Sequence, residues 1–446
     1  MIKDTFVERW YAPFLLALWV LMPEARRLVD WQIGFNSLPV INLIPVVALL
    51  PLVAVCLGRR SALRPADFSL VMWLWIGAFV YAALVGWSAG GSLGTIYECA
   101  LFAFPLLVGL WLAALNRSLA RRIFERFANA ALWLAVITSA YALYQFIAPP
   151  PWDVAWVLNS GLESIGKPEP FGLRIFGTMN SSGVLADFLA MAILLTLYRL
   201  RRRTIWLFFP LLVCAGALAL TFARSAWLEL ALGLVVFVAL SPRRGAALAT
   251  VGAGAILTLA LSMNLSLITG DPSSNTQVQS RLATLNDLQN DESANARADE
   301  TSVALRQSLA EPLGQGLGAV GTATKLTAGS TTVLDNGYLT RFVEMGIFGM
   351  ACYLFALVVG LVMSLVRLRA CYAARDDQSA SLVATAVAIQ VALLGAELSG
   401  DHHYALMGIV FWLVVGFTST IAPEATQFAR SRTAGQEPNI GRPAQA

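Results

Sequence analysis

The chain has 446 residues, of which 57% are hydrophobic and only 13% are charged, and its formal net charge is +4. Soluble domains carry about 25% charged residues, so this composition excludes an ordinary soluble domain and indicates a polytopic membrane protein. The small net charge also indicates that the chain has no nucleic-acid partner. Five cysteines lie in or beside apolar segments without paired spacing, which favours small buried side chains over a disulfide or metal framework.

Apolar stretches of about 17–25 residues, long enough to cross a bilayer, recur along the chain. They predict an all-α polytopic membrane protein with about 12 transmembrane helices. The predicted spans are 8–23, 37–57, 68–87, 93–115, 127–148, 175–198, 205–221, 225–241, 246–268, 338–366, 380–399 and 404–421. The first is interpreted as an uncleaved span rather than a signal peptide. Residues 1–421 are thus one membrane domain, and the polar residues 422–446 predict a disordered cytoplasmic tail.

Arginine clusters follow every second span and predict the orientation. The clusters begin at Arg59, Arg117, Arg199, Arg243 and Arg367. By the positive-inside rule these connections and both termini are cytoplasmic, and Arg26 with Arg27 is the one mild exception. The loops at about 149–174 and 270–334 then face the other side, which is the periplasm in a bacterial inner membrane.

The large outer loop, 270–334, is polar between long apolar segments. Two stretches in it predict short helices, near 278–288 and 296–310, and the second contains Arg306 in a weakly amphipathic pattern. The glycine-rich run 312–318 then ends the helix. A polar loop of this length predicts a site on the outer side.

Three arginines are predicted at the outer ends of spans, namely Arg174, Arg224 and Arg341. Guanidinium groups stay charged and hold phosphate oxygens bidentately, so together they would form an anion site. The alternative for each is an arginine that reaches the lipid headgroups. Arg174 and Arg224 lie within motifs of Gly, Ser, Thr and Asn, which favours the anion site.

Candidate proton-transfer groups also lie at this level. Asp335 precedes span ten and is either a general base or a helix N-cap. Glu344 either contributes to the site or pairs with Arg341 at i+3. The only two histidines, His402 and His403, adjoin span twelve and could supply the base instead. Because no further Cys or His cluster accompanies them, the sequence predicts no metal site.

Arginines that bind an anion, with a carboxylate or imidazole nearby for proton transfer, suit a substrate that is itself a lipid phosphate. Transfer from a lipid pyrophosphate needs no nucleotide, which agrees with the lack of a glycine-rich nucleotide fingerprint in the sequence. Arginines would stabilise the pyrophosphate as it leaves. No cofactor is expected.

Four motifs in order along the chain resemble a known family. They are Arg174-x-x-Gly177-Thr178-x-Asn180, Thr221-x-x-Arg224-Ser225-Ala226-Trp227, Pro312-Leu313-x-x-Gly316-x-Gly318, and Asp335-Asn336-x-Tyr338-Leu339 continuing to Glu344 and Gly346. The chain is similar here to the O-antigen ligase and Wzy-type polysaccharide polymerase superfamily of bacterial inner-membrane glycosyltransferases. With the twelve-span layout, the resemblance extends to most of the chain.

The resemblance implies a GT-C-like fold and a metal-independent enzyme whose donor is an undecaprenyl-diphosphate-linked glycan. It implies that Arg174 and Arg224 hold the donor diphosphate, to which we add Arg341. Supporting roles are expected for Asn180, Arg306, Asn336, Tyr338 and Glu344. The acceptor would be a glycan or lipid A-core, in contact with membrane lipids, and a chain-length regulator is a possible partner.

One position departs from the family pattern. Ligases of this family carry histidine where this chain has Asp335, which leaves the base open among Asp335, His402 and His403. The departure favours a polymerase, which moves a glycan onto a hydroxyl of another lipid-linked repeat unit in O-antigen or exopolysaccharide assembly. The alternative is a ligase acting on lipid A-core or a protein hydroxyl. A secondary transporter is disfavoured because the polar motifs lie at outer span ends rather than at the midplane of repeated halves.

Overall fold

A computed structural model describes residues 6–36, 40–58, 65–161, 165–202, 207–242, 301–306, 308–321, 323–324 and 334–421. Helices dominate these residues, and no strand is found among them beyond one isolated bridge between Gly166 and Leu173. The helices are α1 (Phe6–Ile33), α2 (Ile44–Val47), α3 (Pro51–Gly58), α4 (Ala66–Ser88), α5 (Ser92–Ala113), α6 (Arg117–Ile147), α7 (Pro151–Ser160), α8 (Ser182–Thr196), α9 (Phe208–Leu220), α10 (Arg224–Leu240), α11 (Gly337–Ala373), α12 (Asp377–Ala396) and α13 (Ala405–Ser419).

The fold is that of a multi-pass membrane protein. Six helical segments in the described part of the chain are long and apolar enough to span a bilayer, and the shorter apolar segments Ile41–Cys56, Phe208–Leu220 and Ala405–Ser419 accompany them. The predicted span 246–268, the predicted helix near 278–288 and the tail 422–446 lie outside the described residues. The count of twelve and the GT-C-like fold therefore stay predictions.

Helix packing separates a protein-facing centre from an apolar exterior. α11 packs along α4, α13 along α5, and α12 along α10. Side chains such as Leu84, Trp87 and Phe348 on α4 and α11 remain exposed, as expected for helices that are apolar all round and face lipid. α12 and α13 are surrounded by protein along most of their length, and in the segment that joins them Glu397, His402 and His403 are buried whereas Leu398 is exposed.

Ion pairs join helix ends on the arginine-rich side. Arg117 at the start of α6 meets Asp376 at 2.5 Å, and Arg367 near the end of α11 meets Asp67 at 2.6 Å. The four residues belong to helix ends that the arginine pattern assigns to one side. Their pairing agrees with the predicted alternation of helix directions.

Several helix boundaries differ from the sequence prediction. α1 continues to Ile33 where the predicted span ended at 23, and α11 continues to Ala373 where the predicted span ended at 366. The predicted span 37–57 is interrupted into a 3₁₀ turn, α2 and α3. α6 begins at Arg117 instead of residue 127, because the Asn116 side chain caps it by accepting from the Leu119 N–H at 2.9 Å. The sixth span was predicted from residue 175, but α8 begins at Ser182 after a cap by Ser181, which leaves Arg174–Asn180 as irregular backbone.

Candidate functional site

The irregular segment 174–180, which contains the first arginine motif, is held by buried polar side chains. Gln145 of α6 accepts the N–H groups of Phe176 at 3.0 Å and Gly177 at 3.1 Å. Thr138, also on α6, accepts the N–H of Thr178 at 3.1 Å. Backbone groups without helical partners must be satisfied when buried, so these side chains allow non-helical backbone inside the membrane domain.

Arg27 of α1 fastens the same segment from the opposite side. Its guanidinium donates to the carbonyls of Gly177 and Met179 and forms ion pairs with Glu24 and Asp153. The side chain is fully buried. Arg27 departs from the arginine pattern of the cytoplasmic loops because its side chain supports a buried segment. Removing one partner of a buried ion pair lowers folding stability by about 3–5 kcal/mol.

The structure brings the first two arginine motifs together. The Arg174 side chain donates through Nε to the Thr221 carbonyl at 3.1 Å and through Nη2 to the Phe222 carbonyl at 3.3 Å. These carbonyls belong to the tight turn between α9 and α10, where Phe222 has φ of +53°. Arg224 follows this turn as the first residue of α10. Both arginines are partly exposed, so a ligand can reach them.

The N-terminus of α10 adds backbone donors to this region. Ala223 is its N-cap and makes no side-chain capping hydrogen bond. The first N–H groups of a helix lack intrahelical acceptors and attract anions. An anion held by Arg174 and Arg224 would meet these donors.

The glycine-rich segment 312–318 passes between α4, α5 and α11. The Leu317 N–H donates to the Ala82 carbonyl at 2.9 Å, and the Thr95 hydroxyl donates to the Leu317 carbonyl at 2.8 Å. A Cβ on Gly316 would lie 2.1 Å from the Gly86 backbone. On the other side, Ile347 donates to the Pro312 carbonyl at 2.9 Å, where α11 kinks at Gly346 with φ of +59°. Glycine is required here because the backbones touch.

Arg341 lies in a cluster of acidic side chains and is only 2% exposed. It pairs with Glu344 at 2.5 Å, with Asp401, and with the Phe102 ring at 4.2 Å from its centroid. Glu344 also accepts the Gly318 N–H at 2.9 Å, which ties segment 312–318 to α11. Two carboxylates already neutralise the Arg341 guanidinium, although its Nε has no hydrogen-bond partner among the described residues. The predicted diphosphate contact of Arg341 therefore stays a prediction, whereas the pair with Glu344 is observed.

Asn336, rather than Asp335, caps α11. The Asn336 side chain accepts the Leu339 N–H at 3.1 Å, and Asp335 is exposed one position earlier. The capping alternative for Asp335 is therefore wrong in this structure. Gly337 then donates to the Glu397 carbonyl at 2.8 Å, which places Asp335 beside the segment that carries the histidines.

The segment 397–404, between α12 and α13, contacts most of the other elements of the site. His402 meets Asp187 of α8 at 3.1 Å, and Asp401 meets Arg341. Burial lowers the pKa of His402, but Asp187 and then Glu229 and Glu397 outweigh this and raise it to about 10. Burial raises the pKa of Asp401 to about 6, against the opposing effect of Arg341.

His403 is fully buried in an aromatic enclosure. Its Nδ1 lies 2.8 Å from Glu397 Oε2 and 2.9 Å from the Tyr353 hydroxyl, and its ring meets Phe411 edge-on at 4.7 Å. Nε2 has no hydrogen-bond partner among the described residues. This Glu–His pair would need an opening of the enclosure before His403 could act on a substrate.

The three remaining candidate residues, Tyr338, Asn180 and Arg306, lie in different segments of the structure. Tyr338 donates to the Leu394 carbonyl at 2.8 Å, which is a packing role between α11 and α12. The buried Asn180 Oδ1 has no partner among the described residues. Arg306 is exposed on a short helical stretch at 301–306, in agreement with part of the helix predicted at 296–310, and no described contact joins it to the other candidates.

Several residues that shape the site were given no role from the sequence. Gln145, Thr138 and Asp153 support the first arginine segment, and Glu397 and Asp401 organise the segment 397–404. A polar residue such as Gln145 in an otherwise apolar span is a usable signal. The pairing of Arg341 with Asp401 could not be predicted from the sequence, because the two residues are 60 positions apart and no local pattern links them.

The fold and site together define a multi-pass membrane protein in which charged and polar side chains converge where helices end on the side opposite the arginine clusters. Residues 209–354 match the family model described as Wzy_C, O-antigen ligase. This match confirms the resemblance to the O-antigen ligase and Wzy-type superfamily, and it covers Arg224, the 312–318 segment and Arg341. No curated protein matches the chain significantly.

Proposed function

We propose that this protein is a glycan polymerase of the inner membrane. It transfers a glycan from an undecaprenyl-diphosphate carrier to a hydroxyl of another lipid-linked repeat unit on the periplasmic face. The observation that carries the proposal is the hydrogen bonding of Arg174 to the turn that precedes Arg224. This contact gathers two arginines and a helix N-terminus, and such a group suits the diphosphate of a departing lipid carrier.

In the proposed reaction the acceptor hydroxyl oxygen attacks the anomeric carbon of the donor glycan. The bond from this carbon to the diphosphate oxygen breaks, and undecaprenyl diphosphate leaves with the bonding electrons. We assign the acceptor proton to Asp335, because it is exposed beside the start of α11, whereas His402 and His403 are buried. Arg341 and Glu344 serve as framework in this scheme.

A ligase is the second candidate, and the description of the matching family model favours it. The donor chemistry is the same in both cases. Only the acceptor differs, since a ligase would use lipid A-core or a protein hydroxyl.

The test uses the purified protein in nanodiscs with a defined undecaprenyl-diphosphate oligosaccharide that carries the host's own repeat unit. A ladder of products at multiples of the repeat, with release of undecaprenyl diphosphate, is expected. Transfer that occurs only after lipid A-core or an acceptor protein is added would make the protein a ligase. No transfer to any of these acceptors would contradict both candidates.

A further inference from the structure

Three ionisable side chains outside the proposed diphosphate site converge between helices. Asp187 comes from α8, Glu229 from α10 and His402 from the segment 397–404, and one ligand atom from each lies within 4.8 Å of the others. Two ligand atoms at about 2.0–2.2 Å from one ion are at most about 4.4 Å apart, so small side-chain rotations would bring this cluster to binding distances. The three residues are far apart in the sequence, so the fold creates this cluster.

Glu229 is the member whose environment requires an explanation. It is 2% exposed, and neither carboxylate oxygen has a hydrogen-bond partner among the described residues. A buried carboxylate without compensation costs several kcal/mol. Its closest charged neighbours are Asp187, which has the same sign, and His402. A protonated His402 supplies one positive charge against the two carboxylates, so one further positive charge, from a proton or a cation, is needed.

The His402 ring is oriented as metal-binding imidazoles are. Nδ1 lies 2.9 Å from the Gly400 carbonyl, to which it can donate, while Nε2 lies 3.1 Å from Asp187 Oδ2. With Nδ1 donating to the Gly400 carbonyl, Nε2 meets the carboxylate oxygen through a proton, and a metal ion would replace that proton and bind the Nε2 lone pair. Donation from the second ring nitrogen to a carbonyl is the usual support of a ligating histidine.

We propose that Asp187, Glu229 and His402 bind one divalent transition-metal ion, such as Mn²⁺ or Zn²⁺. Two carboxylates, one neutral imidazole and one divalent ion sum to zero net charge, which suits a buried position. One nitrogen and two oxygen ligands favour these ions over Mg²⁺ and Ca²⁺, which take oxygen ligands. The inference does not rest on the proposed glycan transfer.

The ion would connect three elements beneath the arginine pair. Glu229 lies five residues after Arg224 on α10, a rise of about 7.5 Å along the helix. Binding would therefore fasten α8 and the segment 397–404 to the helix whose first residue is Arg224. The readouts expected to respond are metal content and thermal stability, whichever reaction the protein performs.

The experiment measures Mn²⁺ and Zn²⁺ content by mass spectrometry on chelator-treated protein that is reloaded with MnCl₂ or ZnCl₂ and desalted. Melting temperature is followed in parallel, with MgCl₂ as the comparison ion. Variants Glu229→Gln and Asp187→Asn each remove one proposed ligand charge. The matched control is Asp67→Asn, which removes a carboxylate from the ion pair with Arg367.

Wild type and Asp67→Asn are expected to retain one ion per chain and to melt at higher temperature with Mn²⁺ or Zn²⁺ but not with Mg²⁺. Both ligand variants are expected to lose at least about tenfold in affinity. Absence of retained metal and of a melting shift in wild type would overturn the proposal in favour of a carboxyl pair that shares a proton. Equal binding by wild type and a folded ligand variant would also overturn it. If one ligand variant does not fold, the metal content and melting temperature of the other variant and of the wild type decide whether the site exists.

Discussion

The arginines near the helix ends at the candidate site differ in how far they are buried. Arg27 and Arg341 are buried in ion pairs with carboxylates, whereas Arg174 and Arg224 are partly exposed beside a strained turn. An arginine already neutralised by carboxylates contributes little positive potential to an incoming anion. Because Arg174 and Arg224 are the more accessible arginines, this pair carries the diphosphate hypothesis.

Replacing Arg224 by Ala is expected to lower glycan transfer by about 100–1000-fold, the usual effect of losing one donor to developing negative charge. Arg224→Lys should recover only part of the loss, because an ammonium group cannot bind two oxygens in a planar fork. The ladder assay measures both. Arg199→Ala, which removes an arginine that donates to Asn129, is the control, and near-normal polymer from Arg224→Ala would refute the diphosphate contact.

Asp335→Ala should lower transfer by about 100–10,000-fold if this carboxylate accepts the acceptor proton. Its melting temperature should stay close to wild type because Asn336 provides the cap. The neighbouring variant Asn336→Ala is expected to lose about 1 kcal/mol of stability, because the cap is removed, and to lose less transfer activity than Asp335→Ala. Full activity of Asp335→Ala would move the base to His402 or His403.

At the scale of elements, the segment 312–318 joins α4, α5 and α11 through backbone contacts. Its position depends on two close approaches, Gly316 against Gly86 and Gly314 against the Gly346 kink. A Cβ at either place would collide with backbone atoms, which cannot rotate away as a side chain would. The glycines of segment 312–318 are therefore needed for close backbone packing between this segment and the helices around the site.

Gly316→Ala is expected to destabilise the protein by at least about 1–3 kcal/mol, because it combines overpacking with a φ of +93°. Thermal unfolding in detergent would measure the loss. Gly77→Ala, on α4 where an added Cβ meets nothing within 4 Å, should be neutral or stabilising by about 0.5–1 kcal/mol. Equal melting temperatures for the two variants would contradict the close contact between the Gly316 and Gly86 backbones.

The sequence predicted the helices better than the contacts among them. Hydropathy located α4, α5 and α10 within a few residues, because a bilayer requires apolar stretches of limited length. It misplaced the start of α8, since Ile175, Phe176 and Met179 are apolar yet lie in irregular backbone held by Gln145 and Arg27. The pairing of His402 with Asp187 joins residues 215 positions apart, and no local pattern encodes it.

For the whole molecule, the direction of each helix decides which side the site faces. The ion pairs Arg117–Asp376 and Arg367–Asp67 gather on one side, while the 312–318 and 397–404 segments gather at opposite helix ends. The positive-inside rule predicts that the first side is cytoplasmic. This assignment can be tested without any substrate.

Single cysteines placed by Ser118→Cys and Leu313→Cys, in a background without the five native cysteines, should react differently with a membrane-impermeant maleimide. Both positions are exposed. In intact spheroplasts, residue 313 should be labelled and residue 118 should require permeabilisation. Labelling of residue 118 alone would reverse the orientation and place the site in the cytoplasm.

The length of α11 fixes the depth of its charges. From Ile347 to Val366 the helix carries no charged residue, and these residues rise about 30 Å, the thickness of the hydrocarbon layer. We place the hydrocarbon layer along these residues, so that the kink at Gly346 falls at its edge and Arg341 and Glu344, which are buried within the protein, lie level with the headgroups. A lipid carrier resting in the outer leaflet would present its diphosphate at this height, so it need not be lifted out of the leaflet to react.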